Sequence, residues 1–132
     1  MPHISDTVFD AVPALLDEAA QRFVMPRFGA LLHGEVEEKS RGELVTVADR
    51  EAEAFIAPRL AALLPGSRVV GEEAASADLS LLQSLDQGLV WLVDPVDGTS
   101  NFVAGRPVFA LMAALLRDGE TMHGLWPDAK PL

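Results

Sequence analysis

The chain has 132 residues, 49% of them hydrophobic, which suffices for one core and a single domain without an independent second unit. Its 20 acids against 10 bases give a formal charge of −10, and this disfavours nucleic acid, whose phosphates attract basic surfaces. It has no cysteine, so disulfides, thiolate metal sites and cysteine nucleophiles are excluded, and zinc is disfavoured with them.

Val8, Val12, Leu15, Ala19 and Phe23 recur at helical spacing, with Leu16, Ala20 and Val24 widening the stripe. This predicts an amphipathic helix capped by Ser5 or Asp6, kinked or started late by Pro13, and ended by Pro26 and Gly29. The polar stretch from His33 to Glu43 reads as a hairpin or mobile loop. A second helix is expected from Thr46 or Asp49 to Leu64, bent at Pro58 and stopped by Pro65-Gly66. Val69-Val70-Gly71 reads as a strand ending in Glu72-Glu73, and residues 74–87 as a short helix and loop. Trp91 to Val93 predicts a short buried strand followed by the turn dipeptides Asp94-Pro95 and Asp97-Gly98, with Thr99 to Phe102 opening a helix. Two final strands, Val108 to Leu116 and Met122 to Trp126, are joined by a turn at Arg117 to Glu120. Val108 to Leu116 is the longest apolar run, far below the roughly 20 residues that span a bilayer. No membrane association is therefore expected, and the acidic N-terminus lacks a signal-peptide pattern, which places the chain in the cytoplasm.

Three acid-tipped segments, at Asp49, Glu72-Glu73 and Asp94 to Asp97, point to one shared site for a hard cation. Asp-Pro and Asp-Gly are also common in surface turns, Glu72-Glu73 also suits the start of a helix, and Asp49 and Thr99 also suit helix N-termini, so those readings stay open beside the first.

LVTVAD (Leu44 to Asp49), VVGEE (Val69 to Glu73) and WLVDPVDGTSNFVAGRP (Trp91 to Pro107) resemble, in order and separation, the motifs of the inositol monophosphatase family. These are magnesium-dependent phosphatases. The resemblance implies an α/β (α+β layered) fold: the N-terminal half of the family's alternating helix and sheet sandwich, with two main helices on a mostly antiparallel sheet of mixed strand order. It further implies Mg2+ as cofactor. Glu72, Asp94 and the Val96 carbonyl would hold one ion, and Asp94 and Asp97 would hold a second, with Asp94 bridging. Gly98 and Thr99 would bind the substrate phosphate, glycine permitting close approach. Asp49, Thr99 and Glu72 would be catalytic, the Thr99 and Asp49 pair orienting or deprotonating the attacking water. Glu73 and Lys39 are further candidates, and Ala104 departs from the basic residue many relatives carry. His3, His33 and His123 match no catalytic position.

The resemblance also implies that residues 1–132 form a single, truncated N-terminal metal- and phosphate-binding domain, because relatives continue into a second α/β domain. Asp128 fits the aspartate after the last first-domain strand and is not read as that domain's metal ligand. The expected activity is hydrolysis of a small-molecule phosphate ester, weak or absent in this chain alone. The ester itself, whether an inositol phosphate, a nucleotide, histidinol phosphate or a sugar bisphosphate, stays open, and homodimers are the association the family suggests. The alternative is a catalytically weak or inactive remnant that binds metal or a protein partner.

Overall fold

A computed structural model describes residues 4–40 and 43–125 of the chain. Helix α1 (Asp6–Ala19) begins where the Ser5 hydroxyl accepts the Thr7 N–H at 3.2 Å. It runs on through a wider π-type turn, Ala20–Val24, and a tight turn, Met25–Arg27. Strands β1 (Val36–Ser40) and β2 (Glu43–Thr46) form an antiparallel hairpin, so the strand reading of residues 33–43 holds over the mobile one. Residues 41 and 42 lie outside the described residues. Helix α2 (Val47–Leu63) follows directly from β2. The remaining elements are β3 (Arg68–Gly71), α3 (Glu72–Ala77), β4 (Leu89–Asp97), α4 (Thr99–Val103), β5 (Ala110–Arg117) and β6 (Glu120–Leu125).

Four strands form the main sheet in the order β3-β4-β5-β6. Only β3 and β4 are parallel; the other pairs are antiparallel. The mostly antiparallel expectation holds, whereas strand order is consecutive and not mixed. Side chains alternate across a strand, and the alternation sorts the core. Trp91 and Val93 of β4 and Leu111, Ala113 and Leu115 of β5 pack with Val12, Leu16 and Ala19 of α1 and Ala52, Phe55, Ile56 and Leu60 of α2. Burying each large aliphatic or aromatic side chain here contributes about 1.5–3 kcal/mol. On the opposite face Val70, Val90 and Leu116 pack against Ala75, Leu81, Leu85 and Leu92, a smaller cluster.

Three expectations are corrected. Helix α1 starts at Asp6, not after Pro13, and Pro13 and Pro58 lie inside α1 and α2. Each proline removes one backbone donor, but α1 buries Val12 and Leu16 around Pro13 and α2 buries Ile56 and Leu60 around Pro58, so packing holds both helices together. Residues 94–97 do not form a turn. Asp94 pairs with Met112 and Asp97 with Ala110, so β4 continues through a bulge of one extra residue, and Pro95, lacking an N–H, sits within it. The final strands begin at Ala110 and Glu120 and not at Val108 and Met122. His3, Trp126 and Asp128 lie outside the described residues, and among those described no helix is long and apolar enough to cross a membrane.

The turn after β4 is fixed by packing. Phe102 of α4 is fully buried, with its ring centroid 5.1 Å from that of Phe109 and 6.1 Å from that of Phe28. Gly98, the N-cap of α4, has φ +89°, and an added Cβ would lie 2.7 Å from the Val108 carbonyl oxygen. The glycine thus also serves the chain's own backbone, beside the ligand approach expected of it. Gly98→Ala should lose about 2 kcal/mol or more from the left-handed strain and the overlap together. A melting temperature equal to wild type would contradict that assignment.

Candidate active site

The acids meet because of how the strands end. In the parallel pair, Gly71 stands opposite Val93, so Glu72 and Asp94 leave adjacent strands at the same level. Glu72 is the neighbour that most favours the protonated form of Asp94. Burial first, and then Glu72, Asp97 and Asp49, push the Asp94 carboxyl up to about 8. Asp94 Oδ1 is buried and has no hydrogen-bond partner. A cavity of about 310 Å³ opens beside the pair, walled by Val70, Leu82, Leu92, Met112 and Ala114.

Asp49 enters from α2. Thr46 caps that helix, and its hydroxyl and backbone N–H donate to Asp49 Oδ2 at 2.8 and 2.7 Å, while the Asp49 N–H donates back to Thr46 Oγ1 at 3.3 Å. This reciprocal box leaves Asp49 1% exposed, with Oδ1 lying 3.1 Å from Thr99 Oγ1. Burial outweighs the donors from Thr46 and Thr99 and raises the Asp49 pKa. Thr99 Oγ1 also lies 2.9 Å from the Val96 carbonyl. A hydroxyl has one proton to donate, so Asp49 and Val96 compete for it while Asp49 is ionised. The Val96 oxygen keeps a second lone pair.

The expected site residues are thus arranged in two groups joined electrostatically. Glu72 and Asp94 are in contact, Asp49, Thr99 and Val96 are linked by hydrogen bonds, and Asp94 responds to Asp49 and Asp97. Glu72 and Asp97 are exposed and Glu73 is half-buried. Among the described residues, no three acids or histidines form a cluster that could hold a metal ion. Like charges without a cation between them repel, and the oxygens present still fit a hard ion. They include two neighbouring carboxyl groups, Glu72 and Asp94, and a buried Asp94 oxygen with no donor, the kind of unmet demand a cation satisfies. Lys39 stands on β1, with its side chain outside the described residues.

Thr46 and Glu53 are buried polar residues that motif reading did not single out. The signal for Thr46 was the Thr-x-x-Asp spacing of a capping box; for Glu53 it was a position one helical turn beyond Asp49, on the same face.

A layered α/β fold thus brings acids from three segments toward one end of its sheet. The chain belongs to the inositol monophosphatase family, whose sequence profile matches residues 6–126. Over 110 residues it is 39% identical to a histidinol-phosphatase of Mycobacterium tuberculosis, covering 83% of this chain and 40% of that protein. An inositol-1-monophosphatase of Bacillus subtilis is 34% identical over 119 residues, covering 86% and 43%. Among solved structures, an IMPase of Thermotoga maritima aligns with a TM-score of 0.74 at 28% identity, over 92% of this chain and 44% of that one. The chain therefore spans about two fifths of the length of these relatives.

Proposed function

We propose that residues 1–132 are the N-terminal, cation- and phosphate-binding domain of a magnesium-dependent phosphomonoesterase acting on a small phosphorylated alcohol. The observation that carries this reading is the Glu72–Asp94 pair with its unpartnered Asp94 oxygen. Glu72, Asp94, Asp97 and the Val96 carbonyl would hold Mg2+, with Glu73 and Lys39 peripheral to them. The bound cation would supply charge neutralisation for a phosphoryl group that carries negative charge and gains more at the attacked and leaving oxygens.

The chain's own groups account for the rest. Gly98 and Thr99 offer backbone N–H groups at the first turn of α4, where phosphate oxygens can be received. Water adds to phosphorus as the bond to the alcohol oxygen breaks. Asp49, bonded to Thr99 Oγ1, is placed to take the water's proton through that hydroxyl. Burial raises its basicity toward the range useful near neutral pH. The same reading makes the protein cytoplasmic and open to dimer formation, which sedimentation would measure.

Relatives act on histidinol phosphate and inositol 1-phosphate by name, and both are the first substrates to test. Phosphate release by the chain alone is expected to be slow, to need Mg2+ and to stop with a chelator. The same rate with and without chelator would refute a cation-dependent site. Rapid turnover by the isolated chain would refute its role as one part of a larger active site.

A further inference from the structure

Glu53 is a buried carboxylate, 7% exposed, with no task in the chemistry above. Its Oε1 accepts the Glu73 N–H at 2.8 Å and its Oε2 accepts the Ala74 N–H at 2.9 Å. Those amides belong to the first turn of α3, where no intrahelical acceptor exists. The two long helices are capped locally: Ser5 serves α1 and Thr46 serves α2. The N-cap of α3 is Gly71, which has no side chain to offer. An acceptor 20 residues earlier in the chain replaces it.

Gly71 has φ −94° and ψ 154°, extended backbone open to any residue, so its missing side chain answers a need for space. A Cβ built there would overlap the carboxylate of Glu53. Glycine and glutamate therefore fit one another. Glu72 lies between two fixed points: Gly71, registered against Val93, and Glu73, bonded to Glu53. Because α2 also carries Asp49 one turn before Glu53, the same bonds join the helix holding one acid to the turn holding another.

We propose that Glu53 is the positioning residue of the Glu72–Asp94 pair: seated in the space Gly71 leaves, its carboxylate holds the first turn of α3 and so sets where Glu72 meets Asp94. The inference rests on the reading of that pair as a divalent-cation site. An ordinary stabilising cap would change melting and leave ion affinity alone; a positioning residue changes ion affinity in chains that remain folded.

The test uses the full chain, with Mn2+ as probe followed by electron paramagnetic resonance and with thermal melts alongside. Glu53→Gln keeps the volume and loses one acceptor, and Gly71→Ala displaces the carboxylate. Each is expected to weaken Mn2+ binding about tenfold or more while melting cooperatively, the usual scale for residues that orient ligands. In a Glu53→Ala background, where the space is vacant, Gly71→Ala should add little further loss; an additive loss would show that the two residues do not act as a unit. Affinity within about twofold of wild type in both single variants overturns the proposal. Asp94→Asn separates the two ideas. Wild-type affinity there sinks the cation site itself, whereas loss there with retention in Glu53→Gln sinks only the positioning role. Hydrogen exchange in the wild-type chain needs no variant: the Glu73 and Ala74 amides should exchange slowly, and exchange at the rate of free amides would also overturn the proposal.

Discussion

Asp94→Asn is expected to bind Mg2+ about 100-fold more weakly than wild type, or worse, yet to melt at a higher temperature when no metal is present at pH 8. The first effect follows from charge. Taking one member from a buried ionic contact costs about 3–5 kcal/mol, and each 1.4 kcal/mol or so is tenfold in affinity. The second effect follows from burial and from Glu72, Asp97 and Asp49, which all raise the Asp94 carboxyl, so its ionised form is unfavourable without a cation. Asparagine carries no charge, so it removes the repulsion from Glu72, Asp97 and Asp49 at every pH. Calorimetric Mg2+ titration and parallel melts measure both. Equal Mg2+ heats from the two proteins would remove Asp94 from the site, and a lower metal-free melting temperature would show that its neighbours do not repel it.

The second large effect is a reciprocal dependence on pH and Mg2+. The Asp94 carboxyl is raised to about 8, by burial first and by Glu72 next, and burial raises Asp49 as well. A folded-state pKa above the unfolded one means the folded chain holds the proton more tightly. The resulting stabilisation is complete below about pH 4, the unfolded carboxyl range, declines as pH rises, and is gone above about 8. Metal-free melting temperature should therefore fall between pH 5 and 8. Mg2+ must displace the proton, so its affinity should rise by about tenfold per pH unit over that interval if one proton leaves per ion. Saturating Mg2+ would then offset the loss. A Mg2+ affinity that stays constant from pH 6 to 8 would show that no proton is expelled on binding.

The sequence made the acids visible because each followed an apolar stretch, and the hairpin at residues 36–46 places Thr46 and Asp49 at the start of α2. The periodicity of Val12, Leu16 and Ala19 was equally plain, since burial repeats with the helix. What stayed hidden depended on pairing across the chain. The bulge between Asp94 and Asp97 exists relative to β5, and nothing local distinguishes it from the turn that Asp-Pro suggests. The bond from Glu53 to Glu73 and Ala74 joins α2 to α3, and sequence spacing alone does not show such contacts. The need for glycine at position 98 was legible as a turn, but its cause, the Val108 carbonyl, lies in a segment that packs back only in the folded chain.

The kink in the β4 ladder has a geometric corollary. In an uninterrupted strand, residues three apart project to opposite sides. Asp94 and Asp97 are paired with Met112 and Ala110, which are two apart and share a side, so the surplus residue restores even parity and aims both aspartates the same way. Deleting Pro95 or Val96 would remove the bulge and leave the two aspartates two apart in a regular strand, still on one side, whereas a flat ladder keeping all four residues would part them. The bulge is what lets a single strand present two acids, three positions apart, to the same region of space.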